Sequence, residues 1–231
     1  MRSAQYTRGA AARRLFCYAA GVLRSTLIFE FAALPYELLA SAPVWDRHCA
    51  EMAEQLPPGA RRVLDLGCGP GNSTVHLRDR VGPGAFGGDF ALPMLRRARK
   101  RDRALSLACM DAGALPLRSG SLDAVTFHSV LYLLPDQPAA LREVFRVLRP
   151  GGRAVLLEPH EGLRATVLGL VRALPNPRWA LTALLWRTVS GAYGRFTADR
   201  LWATLEASGL RVKKIEECLG GLGLLAVAEK P

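Results

Sequence analysis

A glycine run and three acids carry the chemistry that can be read from this 231-residue chain. Val63-Leu64-Asp65-Leu66-Gly67-Cys68-Gly69-Pro70-Gly71-Asn72 is an apolar stretch leading into glycines at alternate positions, with an acid two residues before the first of them. Glycine lets a backbone turn sharply and approach a ligand closely, and a helix opening after such a loop offers it free N–H groups. Dinucleotide-binding proteins also carry a glycine loop after a strand, but theirs is spaced G-x-G-x-x-G and grips a pyrophosphate. The spacing here is G-x-G-x-G, and Asp65 at its entrance would repel a pyrophosphate while suiting a ligand with an ammonium group. Asp89 and Asp111 close the next two apolar runs. The first is placed to accept from the hydroxyls of a ribose and the second from an adenine amino group. Each alone reads as a solvated or capping residue. In series at successive strand ends they mark one nucleoside site, because open α/β sheets bind ligands at the carboxyl ends of their strands.

Holding these residues together requires alternating strands and helices. Short apolar runs predict strands at Arg62–Leu66, Ala85–Asp89, Leu105–Met110, Leu122–Phe127 and Ala154–Glu158. Amphipathic stretches between them predict helices near Asn72–Val81, Pro93–Lys100 and Pro138–Leu148, the last stopped by Pro150-Gly151-Gly152. A helix over Ala198–Ser208 leads to strands at Arg211–Cys218 and Leu224–Glu229, too close together for a crossover and therefore a hairpin. The fold class expected is α/β: a seven-stranded, mostly parallel sheet with right-handed crossovers and one antiparallel strand at its C-terminal edge. Residues 1–60 read as helical, with apolar positions recurring from Leu15 to Leu34, and residues 162–195 as an apolar, basic helical insertion. Both are expected to form a cap on a domain of residues 61–231.

Half the residues are apolar, enough for a sizeable core. The net charge of +11, carried almost wholly by arginine, suits nucleic acid or an anionic membrane surface, and equally a GC-rich genome. Five dispersed cysteines, with no C-x-x-C pair and no metal-ligand spacing, indicate neither a disulfide framework nor a metal site and make a reduced, cytoplasmic compartment the expectation. The N-terminal apolar run is broken by Arg24 without a clear cleavage site, and no uncharged run reaches the roughly 18 to 20 residues of a membrane span.

VLDLGCGPGN, GGDFALPMLRRA, MDAGALPL, SLDAVTFHSVLYLLPD and the stretch from Leu141 to Gly152 resemble the successive motifs of class I S-adenosylmethionine-dependent methyltransferases of type 11. The resemblance covers roughly residues 60–160, and the closing helix and hairpin fit that family's antiparallel seventh strand. It implies a Rossmann-like domain with S-adenosylmethionine as cofactor and S-adenosylhomocysteine as product. It further implies that Asp65, Gly67, Cys68, Gly69, Gly71 and Asn72 surround the methionine moiety. Asp89 would bind the ribose with Phe90 and Met94 beside the adenosine, Asp111 and Ala112 would meet the adenine, and His128 would line the cofactor and the transfer path.

Methyl transfer from a sulfonium is an in-line displacement, driven largely by holding donor and acceptor in contact and alignment. Candidates for catalysis or acceptor contact are His128, Tyr132, Glu158 and His160, with Glu161 beside them; structural roles compete for each. No Asn/Asp-Pro-Pro-aromatic signature is present, which argues against a nucleic-acid acceptor. The tail from Phe196 to Gly221 is similar to the ubiquinone/menaquinone C-methyltransferase group. That group carries an Arg-Asn pair where this chain has Tyr132 and Leu133, so the expectation is the broader one of a small hydrophobic or lipid-like acceptor. A polar metabolite as acceptor, and a cofactor-binding module without turnover, are the alternatives. Residues 8–41 and 163–189 set Phe16, Tyr18, Phe29, Phe31, Trp179 and Trp186 beside Arg13, Arg14, Arg24, Arg172, Arg178 and Arg187, a pattern for a greasy lid or for peripheral contact with the inner face of a membrane.

Overall fold

The computed structural model describes residues 43–231. The expected helical pattern between Leu15 and Leu34, and the aromatic and basic residues of 8–41, lie outside the described residues. Seven strands form one sheet in the order β3-β2-β1-β4-β5-β7-β6. They are β1 (Val63–Leu66), β2 (Ala85–Asp89), β3 (Ser106–Cys109), β4 (Leu122–His128), β5 (Leu148–Pro159), β6 (Arg211–Cys218) and β7 (Gly223–Glu229). The first five run parallel, and β7 runs antiparallel to both β5 and β6. The helices are α1 (Pro43–Glu54), α2 (Asn72–Val81), α3 (Leu92–Arg101), α4 (Gln137–Val147), α5 (Leu163–Ala173), α6 (Pro177–Tyr193) and α7 (Ala198–Glu206).

Period-two alternation along the central strands divides the apolar core between the two faces of the sheet. Leu156 of β5 and Leu224 and Ala226 of β7 join Leu141 and Val144 of α4 and Leu201 and Leu205 of α7 on one face. Val155, Leu157, Leu225 and Val227 turn the other way, onto Trp45, Cys49 and Met52 of α1 and Trp179, Ala183 and Trp186 of α6. The N-terminal helix and the insertion therefore share a core with the sheet. Side-chain caps start three helices where the sequence offers them: Asp136, Asn176 and Thr197 accept from Ala139, Trp179 and Arg200.

Two expectations are corrected. The antiparallel strand is not at the edge: β7 lies between β5 and β6. Its nearly all-apolar GLLAVAE sequence needs cover on both faces, whereas β6, with Lys213, Lys214, Glu216 and Glu217, tolerates solvent along an edge. Pro150-Gly151-Gly152 does not separate helix from strand either. Strand β5 begins at Leu148, and its pairing with β4 shifts register between Leu122 and Ala124. Gly151, at φ 73°, carries the chain through this irregularity, with its N–H bonded to the Lys230 carbonyl.

Candidate active site

The glycine loop leaves β1 and enters α2, held against β2 by the Gly67 and Cys68 N–H groups, both donating to the Gly88 carbonyl at 2.7 and 3.1 Å. Gly67 has φ 74°, and a Cβ there would lie 2.5 Å from the Val130 methyls, so both conformation and space demand glycine. Gly69 differs: a Cβ on it would meet nothing within 4 Å. Gly69 also lines a small cleft, together with Trp45, Gly67, Cys68, Asn72 and His128.

Asp89 ties the loop to the next crossover. Its carboxylate accepts from the Gly69 N–H at 2.8 Å and the Ala91 N–H at 2.7 Å, and burial pushes its pKa up against the pull of those donors. The Asp89 carbonyl accepts from Met110 N–H, which draws the end of β3 alongside. Asp111 follows, half-buried, with its carboxylate accepting from Gly113 N–H at 2.9 Å and Ala112 beside it. Phe90 is exposed at the surface and Met94 is buried on the inner face of α3.

On the opposite side of the loop, β4 ends at His128, which is 8% exposed. Burial, and then the nearby His48 and His76, lower its pKa to about 3, so its imidazole is neutral. The Cys49 sulfur lies 3.8 and 3.9 Å from its two ring nitrogens, and Trp45 meets it edge-on at 4.8 Å between centroids. Trp186 stands nearly perpendicular to Trp45 at 5.1 Å and donates its indole N–H to the Ser129 hydroxyl at 2.8 Å. Ser129 holds a left-handed φ of 64°, an uncommon conformation for serine, directly after the strand. Trp45 from α1 thus lines the cleft as an aromatic wall, and Trp186 from α6 packs against it.

Four expected site residues have other employment. Asp65 does not face the cleft. It is fully buried, and its carboxylate accepts from the hydroxyls of Ser73 and Thr74 at 2.6 Å and Thr126 at 3.0 Å, with burial raising its pKa. The acid at the loop entrance braces the loop from beneath, because three hydroxyls converge on it from α2 and β4. Glu158 is also fully buried; its oxygens accept from the N–H groups of Val130, Leu131 and Tyr132, fixing the turn after β4. Complete burial raises its pKa to about 8, against the pull of those donors. His160 pairs with the Gly221 carbonyl at 3.2 Å, and its own carbonyl accepts from Arg187; it joins the insertion to the end of β5. Tyr132 packs into the core on the α4 face of the sheet.

Residues 64–156 match the family described as methyltransferase domain. The chain is 33% identical over 207 residues to a demethylmenaquinone methyltransferase of Thermus thermophilus, covering 81% of this chain and 90% of that protein. It is 40% identical to one from Mycolicibacterium vanbaalenii, over 88% of this chain and 93% of that protein. The chain belongs to the S-adenosylmethionine-dependent methyltransferases. The solved structure of such a methyltransferase from Mesorhizobium loti superposes with a TM-score of 0.59 at 23% identity, covering 83% of this chain and 99% of that one, which shows the shared fold.

S-adenosylmethionine is this methyltransferase's cofactor, and the residues around the glycine loop are of a kind that fits it. The open face of Gly69 admits a ligand against the backbone, the Asp89 and Asp111 carboxylates sit at adjacent strand ends, and a neutral His128 sets no cation against a sulfonium. Sequence reasoning missed Trp45, Cys49 and Ser129. Trp45 and Cys49 lie in a segment without motif, and their spacing marks only a buried helix face. Ser129 carried no signal beyond its place one residue after a strand. Cys68 also packs against β2, where a Cβ on Gly87 would lie 2.7 Å from its sulfur.

Proposed function

We propose that this methyltransferase transfers a methyl group to a quinone-like, hydrophobic small molecule. The observation that carries this reading is the likeness, over more than four-fifths of the chain, to two demethylmenaquinone methyltransferases. Supporting it, an acceptor entering beside the glycine loop meets the Trp45 indole, backed by Trp186, and a neutral imidazole, a surface for a flat apolar ring. In this reading Asp89 binds the ribose hydroxyls, Asp111 and Ala112 meet the adenine, and Gly67, Gly69 and Asn72 flank the methionine moiety. Bound in this way, the cofactor supplies an electrophilic methyl on a sulfonium and leaves as a neutral thioether. Trp45, braced by Trp186, excludes water and orients the ring. His128, whose neutral imidazole keeps a ring-nitrogen lone pair, accepts a hydrogen bond from a phenolic hydroxyl of the acceptor and orients it. Contact with a membrane face belongs to the same reading, since such acceptors dissolve in lipid.

Incubation with methyl-labelled cofactor and a short-chain demethylmenaquinol tests it, with label expected on the quinol ring. Cofactor binding without label transfer to this or any other apolar acceptor in a lipid extract would refute the proposal, and label on a polar metabolite would redirect it.

A further inference from the structure

Helix α6 presents apolar side chains on two opposite faces. Its inner face buries Trp179, Ala183 and Trp186 against the sheet. On its outer face Leu181, Leu184, Leu185 and Val189 are 38 to 54% exposed, at the spacing that lines one side of a helix. The adjoining α5 turns Val167 and Val171 outward, and Leu174 follows its end, all at 50 to 66% exposure. Contiguous exposed apolar rows of this kind mark interaction sites, where single exposed leucines would not. Among the described residues no helix is long and apolar enough to cross a membrane.

Charge narrows the occupant. From Gly162 to Ala198 the chain holds five arginines and no aspartate or glutamate. Arg164, Arg172 and Arg178 are exposed on the two helices, while Arg187 turns inward to the His160 carbonyl and the Thr166 hydroxyl. A second copy of this chain would set the same arginines against one another on a protein of net charge +11. Residues 1–42 have the same sign, with five arginines against Glu30 and Glu37. An apolar strip on helices whose own charged residues are all cationic fits a partner that is apolar within and anionic at its surface, which is an anionic lipid bilayer.

We infer that the outer face of α5 and α6 docks this methyltransferase on anionic membranes. Helix α6 then lies in the interface with its leucines toward the acyl region, while Trp186 on its other side stands at the end of β4. The docking is independent of the acceptor's identity; that a lipid-dissolved acceptor passes along α6 to the cleft rests on the function proposed above.

Flotation of the full chain with phosphatidylcholine vesicles, with or without roughly a third phosphatidylglycerol, tests the docking. The variants are L181Q/L184Q/V189Q, which removes apolar surface alone, and L181E/L184E/V189E, which adds repulsion. These side chains are exposed, so the thermal midpoint and cofactor affinity should match the native protein and verify folding. Expected is flotation of the native chain with anionic vesicles, weakening as salt rises, and at least about tenfold weaker partitioning of both variants. Absence of flotation, or flotation that the substitutions leave unchanged and so arises elsewhere, for instance in residues 1–42, overturns the inference. So does a self-association, seen by sedimentation, that the same substitutions abolish. Turnover of a short-chain, water-soluble acceptor separates the two proposals: docking variants should retain it, while its absence from a native protein that still floats refutes the acceptor reading alone.

Discussion

Replacing Asp89 with alanine perturbs the cofactor site at a single carboxylate. Two backbone donors lose their acceptor, Gly69 N–H at 2.8 Å and Ala91 N–H at 2.7 Å, and the proposed ribose acceptor disappears with them. Stranding a buried donor costs about 1–3 kcal/mol. The two backbone donors are stranded in free and bound protein alike and so lower stability, while loss of the ribose contact, within the same range, is what weakens binding. At about 1.4 kcal/mol per tenfold, the dissociation constant for S-adenosylmethionine should rise roughly 5- to 150-fold. Calorimetric titration measures it, with thermal unfolding to verify the fold. Adenosine, which has the ribose but lacks the methionine end, should lose affinity by a similar factor if Asp89 touches the sugar. An affinity within twofold of native in a folded variant removes Asp89 from the site. A loss for the cofactor but none for adenosine would make Asp89 a brace of the glycine loop and nothing more.

Three further outcomes are expected. Gly67→Ala, forced to φ 74° with its Cβ 2.5 Å from the Val130 methyls, should destabilise the protein by more than about 1 kcal/mol and abolish measurable cofactor binding; calorimetry at native-like affinity would refute this. Glu158→Gln leaves the Tyr132 N–H facing an amide and should cost about 1–3 kcal/mol at pH 6 by urea unfolding. Because burial raises the native carboxyl from 4.5 to about 8, the stability it confers in its protonated form is lost as pH climbs through that window. The native protein should therefore lose up to about 1.4 kcal/mol per pH unit relative to the variant between pH 6.5 and 8; a gap that widens with pH would show an ionised Glu158. His128, with its pKa lowered to about 3, should contribute no acid limb to kcat/KM between pH 5 and 8, whereas His128→Ala, which removes one hydrogen bond to the acceptor, should cut kcat about 2- to 10-fold with cofactor affinity little changed; undiminished turnover would exclude that contact.

Much of this protein was legible along the chain. The strands announced themselves because consecutive apolar residues, bounded by glycine and proline, have few other ways to be buried. The loop from Gly67 to Gly71 and the acids Asp89 and Asp111 were legible for a related reason: a parallel sheet brings the ends of neighbouring strands together, so residues at successive strand ends are neighbours wherever the helices lie. The strand order of β6 and β7 was not legible, since a hairpin can add to a sheet by either of its strands. The difference in polarity that settles it becomes decisive only when one strand must be covered on both faces.

Residue type and position located Asp65, Glu158 and His160 at the active end of the sheet; tertiary structure decided which way they turned. Asp65 looks inward because hydroxyls on α2 and, 61 residues away, on β4 converge on it. Glu158 is consumed by the N–H groups of a turn 26 to 28 residues earlier. The aromatic wall joins Trp45 to Trp186 across 141 positions of sequence, through two helices that share no motif. A buried polar group must find partners and a cleft must be closed by whatever packs over it; both conditions are met between segments remote in sequence, so they exist only once the chain has folded.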